Sequence, residues 1–146
     1  MTEMTEMPQP IDVLPHRDPF LLVSEVTELV PGERARAVWR LTGDEAFWAG
    51  HFPGRPTLPG VLMVESLAQV GAIALLTDER FAGKLPLFGG IDKARFRRQV
   101  VPGEVLELEV TLDQLRGVAG KGRGVATVGG QKACSADLLF VLASSG

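Results

Sequence analysis

One glutamate stands in a stretch that is otherwise almost entirely apolar. Between Gly60 and Leu76 only Glu65, Ser66 and Gln69 are polar. A carboxylate is almost never fully buried unless something pairs with it or uses it. Gln69 follows four residues later, on the same face of a helix and within reach of the carboxylate. A glutamate at a helix edge facing solvent is the plainer reading. A carboxyl group in an apolar cleft, suited to general acid chemistry, is the sharper one. His51 lies just upstream in GHFPGRP, residues 50–56, a loop stiffened by Pro and Gly. A lone loop histidine is usually a surface residue or a hydrogen-bonded spacer, but beside a buried glutamate it reads as a base. Gly60 adds a third part. The first N–H groups of a helix lack intrahelical acceptors, and a glycine there lets a ligand carbonyl come close. A base (His51), an acid (Glu65) and an oxyanion donor (the Gly60 N–H) suit proton removal beside a carbonyl with loss of a β-substituent. The second histidine, His16 in PHRDP (15–19), reads as a brace for its loop.

These residues need a frame. Residues 1–10 read as a flexible tail and 11–146 as a single domain, long enough to bury about two-thirds of its unfolded surface. Ile11 to Leu14 suggests a helical turn, and Phe20 to Leu29 a strand. Arg34 to Leu41 alternates, with Ala35, Ala37, Trp39 and Leu41 on one face and arginines opposite, so the two strands form a hairpin across Pro31-Gly32-Glu33. Residues 42–58 read as an ordered loop, and Pro59 to about Thr77 as a helix. Lys84 to Val100 suggests two short strands around Asp92. Leu106, Leu108, Val110 and Leu112 alternate with polar residues as a half-buried strand. Glycines 117, 120, 122 and 124 suggest a loose connection. Strands at 125–128 and 132–142, joined by Gly129-Gly130, complete the sheet. Strands with one segregated helix imply an α+β fold with an antiparallel sheet. A helix apolar almost all round must be covered on nearly every side. One sheet covers one side, so a partner subunit, and hence a dimer, is expected.

Composition narrows the function. The formal net charge of −3 gives no global attraction to nucleic acid or to an anionic membrane. The apolar stretch after Gln69 is too short to span a bilayer. The single cysteine, Cys134, and two separated histidines offer no disulfide framework and too few ligands for a structural zinc. The N-terminus lacks the basic and apolar regions of a signal peptide, so a cytoplasmic location is expected.

The stretch GHFPGRPTLPGVLMVESLAQ, residues 50–69, resembles the signature of the (3R)-hydroxyacyl-ACP dehydratases of FabZ type. LPHRDPFLLVSEV (14–26) is similar to that family's N-terminal strand, and FGGIDKARFRRQVVPGE (88–104) to a later characteristic segment. The resemblance implies a hot-dog fold, an antiparallel sheet wrapped around one long helix, with two subunits joining sheets. It implies an active site at the dimer interface, with His51 from one subunit and Glu65 from the other. Gly60 would give its N–H to the thioester carbonyl, and Gln69 would support the site. Trimers of dimers occur in the family. The implied partner is an acyl carrier protein bearing a phosphopantetheine-linked substrate. Lys93, Arg95, Arg97 and Arg98 could meet its acidic surface, or serve simply as a solvated strand edge. No metal or redox cofactor is implied.

The chain departs from the family pattern at Asp18, where an apolar or aromatic residue is common, and at Ser24, where Asp is common. It also has Glu45-Ala46-Phe47-Trp48 in place of Glu-Pro-Phe-Phe, and no tyrosine at all. None of these touches the His51/Glu65 pair. They bear on acyl chain length and leave room for a specialised lipid or polyketide pathway. A hot-dog thioesterase and a non-catalytic acyl-binding module are the competing functions. Glutamate at 65, where isomerising relatives carry aspartate, argues against isomerisation.

Overall fold

The computed structural model describes residues 6–144, save the side chain of Gln114. Residues 1–5 of the expected tail lie outside this range. Pro10 starts the helical turn α1 (Pro10–Val13) and is buried, while Met7 packs against the core.

Strands β1 (Glu25–Val30) and β2 (Arg34–Arg40) form the expected hairpin. The helix α2 (Gly60–Leu76) follows, then a 3-10 turn at Glu79–Phe81. Four strands close the chain: β3 (Leu85–Phe96), β4 (Val105–Arg116), β5 (Ala119–Val128) and β6 (Gln131–Ala143). Among the described residues these six strands form one antiparallel sheet in the order β1-β2-β4-β5-β6-β3. The sheet curls around α2, which packs on β2, β4, β5 and β6. That is a hot-dog fold, as the sequence implied. No helix among the described residues is long and apolar enough to cross a membrane.

The alternation in β2 and β4 lands as expected. Ala35, Ala37, Trp39, Leu106, Leu108 and Val110 point into the core. The β2 arginines lie on the outer face and pair with glutamates: Arg34 with Glu28, Arg36 with Glu109, Arg40 with Glu25.

Four expectations need correction. The first strand starts at Glu25, not Phe20. The backbone before it is engaged elsewhere: Gln69 on α2 accepts from the Leu22 N–H (2.8 Å) and donates to the Phe20 carbonyl (2.9 Å). This segment therefore lies over the helix, with Leu14, Leu22 and Val23 buried. The two short strands around Asp92 are one strand, β3, with register breaks at Phe88/Gly90 and Asp92/Arg95 and Lys93 at φ 52°. A bulge of this kind disturbs the alternation that a sequence reading follows.

The third correction concerns the glycines. Only Gly117 sits in a turn; Gly120, Gly122 and Gly124 are inside β5, on its buried face. A Cβ on Gly124 would come within 3.1 Å of Leu67, and one on Gly120 within 3.2 Å of Leu75, both on α2. The helix packs tightly on the sheet here, and any side chain would have to push it back. Gly124→Val should therefore lower stability by about 1–3 kcal/mol through overpacking, read as an earlier denaturation midpoint. Unchanged stability would mean that the helix can lift away freely.

The fourth concerns the helix. Met63, Val64 and every residue from Ser66 to Leu76 are buried within one protomer, since the curled sheet and the 14–23 segment enclose α2 on several sides. The helix does not itself require a partner to cover it. Uncovered apolar side chains lie instead at its first turn (Val61) and along β3, at Leu87, Phe88, Ile91 and Phe96. β3 is an end strand, hydrogen-bonded to β6 on one side only.

Candidate active site

The loop before α2 is built to fix His51. Glu45 accepts from the Thr42 and Gly43 N–H groups and from the Trp48 indole (2.7 Å), which closes the loop's first turn. Trp48 is buried, and its ring packs on Phe47, which in turn meets Trp39 edge-on. A tight turn follows, with Phe52 and Arg55 exchanging backbone hydrogen bonds. His51 and Thr57 are then clamped twice. The Thr57 N–H donates to the His51 carbonyl (2.8 Å), and the imidazole Nδ1 lies 2.7 Å from the Thr57 carbonyl. A carbonyl only accepts, so Nδ1 carries the hydrogen. In the neutral ring the Nε2 lone pair is thereby left free, as a base requires. Phe52 stacks on the ring at 3.9 Å between centroids.

His51 faces a cleft of about 590 Å³ whose walls include Gly60, Val61, Met63, Phe96 and Arg97. Gly60 opens α2 there. Pro59, at the N-cap, supplies no side-chain acceptor. The opposite end of the helix is better served: the Gly32 N–H donates to the Ala74 carbonyl and the Thr77 hydroxyl to that of Ile73. A Cβ at Gly60 would stand 2.8 Å from the Phe96 ring, so any larger residue here would have to displace that ring. The first N–H groups and the positive end of the helix dipole thus face the cleft that holds His51.

Glu65 sits one turn further along, half-buried, in a second cleft. The Gln69 amide donates to its Oε2 (3.0 Å), as the four-residue spacing implied. Gln69 is buried and cannot turn over, because its oxygen is held by the Leu22 N–H and its nitrogen by the Phe20 carbonyl. The small cleft beside Glu65 is about 30 Å³, room for no more than a water or two. Phe88 and Phe140 close it, their rings stacked at 6.5 Å. The two clefts share no lining residue within one protomer. Gly60 is thus brought together with His51, and Gln69 with Glu65, but one protomer does not join the two halves.

His16 is the residue whose surroundings the sequence did not reveal. It lies in the Glu65 cleft with its Nε2 3.6 Å from Glu65 Oε2. Arg17, not His16, braces the loop, donating to the Leu14 and His16 carbonyls. Burial pulls the His16 imidazole below its ordinary value of 6.5, and the Glu65 charge only partly opposes this. Nothing in the spacing of residues 16 and 65 could have shown this contact, because it depends on how the 14–23 segment crosses the helix.

The basic residues divide. Arg98 is committed to Glu104 through two hydrogen bonds (2.8 and 2.7 Å), and its guanidinium holds that carboxyl below the usual range. Lys93, Arg95 and Arg97 are exposed along and just beyond the end of β3.

Comparison with known proteins gives the family. A FabA-like domain family matches residues 14–137. The chain is 60% identical over 130 residues to a 3-hydroxyacyl-[acyl-carrier-protein] dehydratase FabZ of Oenococcus oeni, covering 89% of this chain and 94% of that protein. It is 54% identical over 130 residues to the protein of the same name from Clostridium botulinum, covering 89% and 90%. Among solved structures, a chain of the dehydratase heterocomplex ApeI:P from Xenorhabdus doucetiae superposes with a TM-score of 0.82 at 17% identity, over 96% of this chain and 94% of that one. The similarity spans both clefts, the loop that holds His51 and the whole of α2, and on that extent the chain belongs to the FabA-like family of FabZ dehydratases.

Proposed function

We propose that this protein dehydrates a (3R)-hydroxyacyl thioester, carried on acyl carrier protein, to the trans-2-enoyl thioester, with each active site shared between two subunits. The observation that carries the reading is the His51 tautomer. Its Nδ1–H is spent on the Thr57 carbonyl, which leaves Nε2 as a base in the same cleft as the start of α2. His51 Nε2 takes a proton from C2 while the Gly60 N–H stabilises the charge gathering on the thioester oxygen. The C3–O bond breaks as Glu65, directly or through a water, protonates the leaving hydroxyl. Water departs and the C2–C3 double bond forms. His51 then loses its proton and Glu65 regains one, which closes the cycle. No electron is transferred, so no redox cofactor is required.

The shared site has a geometric basis. Both clefts touch β3, the His51 cleft at Phe96 near its end and the Glu65 cleft at Pro86 to Phe88 near its start. Antiparallel pairing of two β3 edges about a two-fold axis sets the start of one strand beside the end of the other. One protomer's His51 would then face the Glu65 of its partner, and the apolar side chains exposed on β3 would be covered. Trimers of such dimers fit the same reading, as does a cytoplasmic location.

The acyl carrier would dock on Lys93, Arg95 and Arg97, with Arg98 holding the strand end in place through Glu104. Replacing Lys93 and Arg95, which line neither cleft, with Glu should raise KM for an acyl-carrier substrate about tenfold or more and leave kcat little changed. KM for a short pantetheine thioester should stay the same. An equal change with both substrates would place the defect in the site and not in docking.

The activity itself is tested with 3-hydroxyacyl-ACP, by following enoyl thioester absorbance and free thiol together. Enoyl product without thiol is expected. Thiol without enoyl product would make the protein a thioesterase, and neither would make it an acyl-binding module.

A further inference from the structure

Glu65 has two carboxyl oxygens, and its surroundings treat them differently. Oε2 accepts from the Gln69 amide at 3.0 Å and lies 3.6 Å from His16 Nε2. Among the described residues no hydrogen bond or ion pair engages Oε1. We propose that His16 is a positioning residue for Glu65: together with Gln69 it anchors Oε2, so that Oε1 is the oxygen that carries the proton to the leaving hydroxyl. The inference rests on the dehydratase reading for its catalytic consequence, but its structural core does not.

The tautomer of His16 follows from its buried atom. Nδ1 is shut off from solvent and has no hydrogen-bond partner. A buried N–H without an acceptor costs more than a lone pair without a donor, so the hydrogen belongs on Nε2, facing Glu65. The other walls of the cleft supply no competing charge: Ala68, Ala72, Pro86, Leu87 and Phe140 are apolar, and Gln69 is already fully engaged. Burial keeps the ring neutral, with the Glu65 charge opposing only in part. A neutral ring matters because a protonated one would stabilise the Glu65 anion and so withhold the acid's proton. At 3.6 Å the contact is longer than a hydrogen bond. Catalytic contacts of this kind commonly tighten when substrate closes the site.

With two donors directed at Oε2, a proton on the carboxyl group has its favourable place on Oε1. The same contacts fix the rotation of the carboxyl plane. Gln69 alone could not do so, since a single hydrogen bond to one oxygen leaves the group free to swing about it.

Two measurements test this. Imidazole nitrogen-15 spectra of the protein without substrate should show His16 as the Nε2–H tautomer near pH 7, with a resonance that moves in Glu65→Gln. An Nδ1–H tautomer, or no response to Glu65→Gln, overturns the proposal whatever the protein's activity. In kinetics, His16→Leu should lower kcat about 10- to 100-fold with KM little changed, the scale expected for a misplaced catalytic group. His16→Gln, which returns an N–H donor at the same reach, should recover most of that loss. His16→Leu should melt close to the parent, because losing the unpartnered Nδ1 offsets the loss of the long Nε2 contact with Glu65. Wild-type kcat in His16→Leu, or a Gln variant as poor as the Leu variant, overturns the positioning role. A wild-type protein that fails to dehydrate at all would instead sink the activity reading and leave the spectroscopic test standing.

Discussion

Replacing His51 with Ala is expected to lower kcat for dehydration by about 10²–10⁴-fold, the usual worth of one positioned proton transfer. The imidazole is held at its Nδ1 by the Thr57 carbonyl, so its only free nitrogen is the one that can take the C2 proton. The other histidine in the chain, His16, enters the composite site beside Glu65, but its Nε2 is turned to that carboxylate and its Nδ1 is shut off from solvent, so it offers no substitute base. The fold should survive the change. The ring is only half-buried, and the backbone bond from the Thr57 N–H to the His51 carbonyl remains. Substrate binding, read as KM, should change far less than kcat. The check is steady-state kinetics with a 3-hydroxyacyl-ACP substrate beside a thermal melt. A well-folded variant with undiminished kcat would mean that His51 is not the base.

Glu65→Gln should cost a similar factor, about 10²–10⁴ in kcat, and for a different reason. The amide matches the carboxyl group in shape, and its oxygen can still accept from Gln69, so neither packing nor the Gln69 network need change. It can donate a hydrogen bond to the substrate hydroxyl, but it cannot give up a proton. Binding should therefore persist while C3–O cleavage fails. Together the two variants separate the halves of the reaction. A Gln variant with near-normal kcat would show that solvent supplies the acid, and the water-sized space beside Glu65 would then be the place to look for it.

Much of this site was legible in the sequence, and the reason lies in local geometry. Gln69 and Glu65 meet because helical periodicity fixes residues four apart on one face, whatever surrounds them. The α2 boundaries were clear for the same reason, as Pro59 and the apolar run mark the start without tertiary information. What escaped the sequence depended on contacts between distant segments. The strand expected from Phe20 was lost to hydrogen bonds with Gln69, 47 and 49 residues away. The glycines of β5 looked like a loop because glycine is poor in strands by propensity, yet here they admit a helix. Their spacing of two, continued by the buried Ala126 and Val128, was the available signal. The pairing of His16 with Glu65 left no trace in residue spacing at all. The helix also misdirected the argument for a partner: its apolar surface is consumed within one protomer, and the open apolar edge belongs to β3. One departure from the family pattern does touch the pair, contrary to expectation: the Trp48 carbonyl accepts from the His51 N–H at 3.3 Å, in the loop that fixes the imidazole, while two others lie on the surface. Asp18 is exposed, and Ser24 takes up the Arg40 N–H at 2.9 Å, a role that fastens β1 to β2.

The central claim is that His51 and Glu65 act across two subunits, and a mixing experiment tests it most directly. Each inactive variant, His51→Ala and Glu65→Gln, retains the half-site that the other lacks. Co-expressed in equal amounts, they should form mixed dimers in which one of the two sites pairs an intact His51 with an intact Glu65. Random assembly makes half the dimers mixed, so about one quarter of wild-type activity should return. Activity no higher than that of either variant alone, in dimers shown to be mixed, would contradict the shared site and put both residues to work within a single chain.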